Sequence, residues 1–177
     1  EIRATAANRL GIAAAAALDG SSLETEAGDD LIALHAGAYG KNSQASALRN
    51  SHANTGSGQD HLRINAEARG NTTSTIASYG AVDSQLDTGS DHDRVEIRST
   101  AYNQAGLAEA VALDASSLET QGGDDQIRLH ANAHGEYTNA WAMRGSSLDA
   151  GSGNNTIDLQ ASTHAFGVDP AYGALNS

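Results

Sequence analysis

Much of what usually stabilises or activates a small protein is missing from this sequence. Cysteine is absent, so neither disulfide stapling nor thiol catalysis is available, although this alone does not fix the compartment. Proline occurs once, and the aromatic residues include a single Phe and a single Trp, too few for a bulky aromatic core. Bases are scarce, with 10 Lys and Arg against 22 Asp and Glu and a formal charge of −12. That balance excludes a nucleic-acid partner and electrostatic attachment to anionic membranes, and makes inorganic cations the natural complement. No apolar run approaches the ~20 residues of a membrane-spanning helix. Neither Met nor a leader precedes Glu1, so any targeting segment is expected to have been removed or to lie outside these 177 residues.

What is present is repetition. Residues 1–40 align without a gap onto residues 96–135, an offset of 95, with 26 of the 40 positions identical. A shorter period lies inside the long one. The aliphatic residue two places after the last Asp or Asn of each turn is Ile32, Leu62, Val95, Ile127 and Ile157, at spacings of 30, 33, 32 and 30. Three coils of about 31 residues therefore make one 95-residue unit. The expected coils run over residues 1–29, 30–60, 61–93, 94–125, 126–155 and 156–177, one array incomplete at both ends.

Each coil opens on strict alternation. Ile32, Leu34, Ala36 and Ala38 share one face, as do Leu62, Ile64, Ala66 and Ala68, with residues such as His35, Arg63 and Asn65 between them. Period two with one apolar face is a half-buried strand. The inward face tapers from large to small, so opposing walls should converge at its alanine end. A glycine turn is expected at Gly40, Gly70 and Gly135. A second strand then runs through Ala13, Ala15 and Ala17 and their counterparts. Two ladders follow, one through Leu18, Leu48, Val82, Leu113, Met143 and Leu175, the other through Leu23, Ala53, Leu86, Leu118 and Leu148. Five residues separate these columns, which one uninterrupted alternation cannot span, so a bend should fall near Asp19-Gly20. The fold expected is all-β: a parallel β-solenoid, right-handed by the general crossover preference, about 27 Å long at ~4.8 Å per coil. Neither end carries a visible cap, so the chain reads as a window on a longer array or as a protomer completed by its neighbours.

The turn before each opening strand is the most chemical part of the repeat. It reads Gly28-Asp29-Asp30, then Gly56-Ser57-Gly58-Gln59-Asp60, then Gly89-Ser90-Asp91-His92-Asp93, then Gly122-Gly123-Asp124-Asp125, and finally Gly151-Ser152-Gly153-Asn154-Asn155. These segments resemble the second half of the GGxGxDxUx nonapeptide of the hemolysin-type (RTX) calcium-binding repeats. Gly56 to Leu62 fits it fully, and Gly151 to Ile157 fits with Asn155 in place of Asp. The spacing departs from that family, whose repeat is nine residues long. The resemblance implies calcium at the turns, with Asp29, Asp30, Asp60, Asp91, Asp93, Asp124, Asp125 and Asn155 as candidate ligands. Electrostatics points the same way, because equivalent carboxylates ~4.8 Å apart repel by roughly 3.5 kcal/mol per pair at an effective dielectric of 20. Solvated acids that begin strands and keep the array soluble are the simpler account of the same residues.

No coil carries the long insertion with which β-helix enzymes build a cleft, and the carboxylates repeat rather than form one tuned pair, so no enzyme is expected. Ice binding would need a recurring Thr-x-Thr ladder, and Thr72-Thr73 with Thr75 occurs once. The expectation is a structural subunit of an extracellular or cell-surface filament or sheath, similar to RTX-type surface fibrils of gliding cyanobacteria. Its partners would be further copies of itself, end to end and side to side, with a glycan or surface-layer contact also open. The alternative is a stalk or adhesin segment of a larger secreted protein.

Overall fold

The computed structural model describes residues 1–8, 11–166 and 172–174, and every regular element among them is a β-strand. The first coil contributes β1 (Ile2–Asn8), β2 (Ala13–Asp19) and β3 (Ser22–Glu24). The second contributes β4 (Leu31–Gly40), β5 (Ser43–Arg49) and β6 (His52–Asn54), and the third β7 (His61–Gly70), β8 (Ile76–Val82) and β9 (Gln85–Asp87). In the fourth and fifth coils the first two strands fuse, giving β10 (Arg94–Asp114) with β11 (Ser117–Glu119), then β12 (Gln126–Arg144) with β13 (Ser147–Asp149). β14 (Thr156–Ala165) and β15 (Tyr172–Ala174) follow.

All pairings are parallel and each joins a strand to its counterpart one coil away, which makes the molecule a β-solenoid. The first wall stacks β1, β4, β7, the front of β10, the front of β12, and β14. The second stacks β2, β5, β8, the back of β10, the back of β12, and β15. A separate five-stranded sheet, β13-β11-β9-β6-β3, forms the third.

Alternation decides what faces inward. Val95 pairs with Leu62 and Ile127, and Ile97 with Ile64 and Leu129; all six side chains are fully buried. These rows pack with Leu48 and Leu113 of the second wall and Leu86 and Leu118 of the third in one continuous core. Burying each such side chain is worth roughly 1.5–3 kcal/mol. At the other end of the first wall Ala101, Ala108, Ala110, Ala131, Ala133 and Ala140 form a cluster of alanines alone. The walls meet there, as the taper implied.

Two details of the ladders differ from the sequence reading. Ala81, not Val82, stands in the row of Leu48 and Leu113, and Val82 pairs with Arg49 and Asp114 instead. The first corner of the third coil is longer than in its neighbours and Ile76 fills it, which shifts the count by one residue. Leu175 lies outside the described residues. Gly135, expected to be a turn, sits within continuous β12, and the corner is taken up by a register shift between Asn103 and Leu107 of β10. Fully buried Asn103 organises that corner: its Nδ2 donates to the carbonyls of Ser74 (2.7 Å) and Leu107 (3.0 Å), and its Oδ1 accepts the Thr72 amide (3.1 Å).

The bend expected near Asp19-Gly20 is a column of left-handed residues: Gly20, Asn50, Asp83, Ala115 and Gly145, all with φ between 47° and 58°. A serine follows each one. The hydroxyl oxygens of Ser51, Ser84, Ser116 and Ser146 accept the amide of the serine one coil earlier at 3.1–3.3 Å, while each hydroxyl donates to the carbonyl two residues before it. This ladder satisfies backbone groups that the bend would otherwise leave unpaired.

On the outside of the second wall Arg144 donates to both Asp114 oxygens (2.8 and 2.6 Å), reaches Glu109 (3.2 Å) and lies 4.9 Å from the Trp141 ring centre. The Asp114 hydrogen bond is the main reason its pKa is raised. Arg49 pairs with Asp19 in the same way one 95-residue unit earlier. Arg144→Ala is expected to cost roughly 1–2 kcal/mol, because packing on Trp141 is lost as well as charge. A urea melt in which this variant matches the parent would contradict that.

Candidate functional site

The turn between third and first walls places the candidate ligands in three parallel rows. Isolated bridges Ala27–Ser57, Ser57–Ser90, Ser90–Gly122 and Gly122–Ser152 fix the register. The innermost row is Asp30, Asp60, Asp93, Asp125 and Asn155. The outermost is Asp29, Gln59, His92, Asp124 and Asn154. Gly28, Gly58, Asp91, Gly123 and Gly153 form the row before them.

The inner row is a hydrogen-bonded ladder. The Oδ1 atoms of Asp60, Asp93, Asp125 and Asn155 accept the amide of the residue one coil before, at 2.8–2.9 Å. Asp60, Asp93 and Asp125 are at most 2 % exposed. Their second oxygens differ in surroundings: Asp125 Oδ2 accepts the Thr120 hydroxyl at 2.8 Å, whereas Asp60 Oδ2 and Asp93 Oδ2 are buried without a hydrogen-bond partner. Asn155 shows how an amide fits the same place, its Nδ2 donating to the Ala150 carbonyl at 2.5 Å. Burial pushes the Asp93 carboxyl up to about 6. The neighbouring Asp60 and Asp125 carboxylates add to the rise. It is opposed by the Asp60 amide and by the nearby Thr88 hydroxyl, which lies outside hydrogen-bond geometry.

The outer row runs the other way. Asp29 Oδ1 accepts the Gln59 amide (2.9 Å), His92 Nδ1 the Asp124 amide (2.7 Å), and Asp124 Oδ1 the Asn154 amide (2.8 Å). Side chains of the two rows thus tie successive turns together from opposite directions. Asp91 joins neither row. It occupies the glycine row with φ 89°, where its counterparts are glycines with φ of 121–145°. Asp91→Gly is therefore expected to raise stability by about 1 kcal/mol. A thermal melt showing loss instead would mean that its carboxylate has a role the backbone does not reveal.

The five residues from Asp30 to Asn155 are therefore brought into one column, while Asp29 and Asp124 are separated by Gln59 and His92, and Asp91 stands apart. Calcium takes six to eight oxygen ligands. The Oδ1 atoms of Asp60, Asp93, Asp125 and Asn155 are committed to amides, so the two buried oxygens without a hydrogen-bond partner, Asp60 Oδ2 and Asp93 Oδ2, do not by themselves complete such a cage. Among the described residues no three His, Cys, Asp or Glu side chains converge in metal-holding geometry. Asp87 and Asp149 cap their own turns by accepting the Gly89 and Gly151 amides. The sequence reading missed the serine ladder. Its signal was a serine at positions 21, 51, 84, 116 and 146, one per coil. An open groove of about 680 Å³ lies over that bend, lined by Asp83, Ser84, Ala115, Ser116, Gly145 and Ser146. The chain matches no protein-family model, no curated protein and no solved structure.

Proposed function

We propose that this chain is a structural subunit of an extracellular or cell-surface filament or sheath, assembled by β-solenoid stacking. The observation that carries the reading is the axial register kept within each wall and turn. From coil to coil, hydrophobic rows, the serine ladder and the aspartate ladder all keep equivalent residues in contact. Parallel pairing along the axis sets backbone hydrogen bonds in line with any pull. A stalk or adhesin segment is the competing use of the same rod.

Imaging the purified protein separates them. Uniform continuous filaments support the proposal, whereas isolated rods of single-chain length would favour the stalk. Calcium at the turns, implied by the RTX resemblance, is a second reading of the aspartate column. It is favoured by the two buried, unpartnered Oδ2 atoms and would have to recruit turn carbonyls as well. Thermal melts with and without a millimolar excess of chelator decide between the readings: no shift is expected for a ladder held by hydrogen bonds, and a fall on chelation would establish the ion.

A further inference from the structure

The surface charge is unevenly divided around the solenoid. Arg3, Arg63, Arg69, Arg94, Arg98 and Arg128 point outward from the first wall, against four acids there, Glu1, Glu67, Glu96 and Asp158. Several of these pair among themselves, Arg94 and Arg128 with Glu96 and Arg69 with Glu67. Arg63 and Arg98 are exposed and belong to no ion pair among the described residues. The half-buried side chains of His35 and His130 lie in the same column as Arg98.

The third wall and its turn are the reverse. Glu24, Asp87, Glu119 and Asp149 lie on the strands, and Glu26, Asp29, Asp91 and Asp124 on the turn. No Lys or Arg stands among them; the nearby bases are His52 and His92.

We infer that the first wall is a lateral docking surface for a second copy of this chain, received by that copy's acidic third wall. This rests on the filament reading and adds how filaments associate. Two features favour a second copy over another polyanion. Both walls repeat at the same ~4.8 Å rise, so two solenoids laid side by side keep their charge columns in step along their whole length. The two patches also lie on different faces of one molecule, and a contact between unlike faces propagates into a sheet or bundle instead of closing as a dimer. Complementary charge of this kind sets orientation and is weakened by salt.

The test uses two charge-reversed proteins. The first carries Arg63→Glu and Arg98→Glu; the second carries Glu24→Lys and Glu119→Lys, none of which takes part in the turn ladders. Sedimentation at low salt should show the parent associating side by side, each variant alone associating about tenfold less, and a mixture of the two recovering association. Dichroism of each variant checks that it is folded. Undiminished association of the first variant would overturn the inference. So would a parent that stays single at low salt while a carboxylated polysaccharide binds it and not the first variant. Sedimentation reads pairing of short rods as well as long ones, so an absence of filaments by microscopy would count against the filament reading alone.

Discussion

Replacing Gly123 with alanine is expected to destabilise the protein by about 3 kcal/mol or more, lowering the melting temperature by roughly 10 °C. The backbone at Gly123 has φ 145°, a region that side chains with a Cβ rarely enter, and an added Cβ would lie 1.8 Å from the Asp91 carbonyl oxygen of the preceding coil. That oxygen cannot retreat without pulling apart the turn column, because neighbouring turns are held by the inner and outer ladders. Gly20→Ala supplies the control. Gly20 has φ 58° with nothing within 4 Å of its added Cβ, and Ala115 already occupies the equivalent bend position at φ 47°. Its cost should stay near 1 kcal/mol. Equal losses at the two glycines would show that coil-to-coil contact at the turn is looser than described.

Asp93→Asn is expected to stabilise the protein above pH 6, by about 3 kcal/mol at the upper limit. In the folded chain the Asp93 carboxyl has its pKa raised from 3.8 to about 6, chiefly by burial. Its contribution is fully present below the unfolded value and is lost as pH rises through about 6. Asparagine keeps the Oδ1 acceptor for the Asp60 amide and adds a donor. At the equivalent place Asn155 already donates to the carbonyl of Ala150, whose counterpart is Thr88. His61 works in the opposite sense over part of the same range. Its pKa is lowered, mainly by burial, so its contribution is lost as pH falls. Acids with lowered pKa, such as Glu96 beside Arg94, lose theirs only at lower pH still. The difference between variant and parent therefore isolates Asp93. It should be near zero at pH 4 and grow through pH 6 to a plateau. A difference independent of pH, or a variant less stable at pH 7, would mean that the Asp93 pKa is not raised and that its carboxylate is held by something other than the ladder.

The architecture was legible in the sequence because it depends on period and hydrophobicity. The rows through Ile32 and Leu23 emerge from spacing alone, since a strand with one buried face writes its alternation into the chain. The bend at Asp19-Gly20 followed from two ladders five residues apart. Corners were less legible. At Gly135 the residue type suggested a turn, yet tight packing of small alanines lets the strand continue. At Val82 an extended corner shifted the count, so that Ala81 took the buried place. In the turn, the repeat made Asp30, Asp60, Asp93 and Asp125 equivalent, and the structure stacks them in one column that Asn155 continues. The repeat could not say that their oxygens accept amides from the neighbouring coil, because that depends on which way a short side chain leans between two identical turns. Asp91, expected among the candidate ligands, stands where the other coils have glycine.

The central claim is that each coil lies directly on the next in parallel register, and nuclear Overhauser contacts along the backbone test it most directly. The account predicts cross-strand contacts linking Ile64 to Ile97 and Ile97 to Leu129, with a parallel-strand pattern continuing through the alanine-rich stretch from Ala108 to Leu113. Contacts three and four residues apart through that stretch, the mark of a helix, together with no link between Ile64 and Ile97, would contradict it.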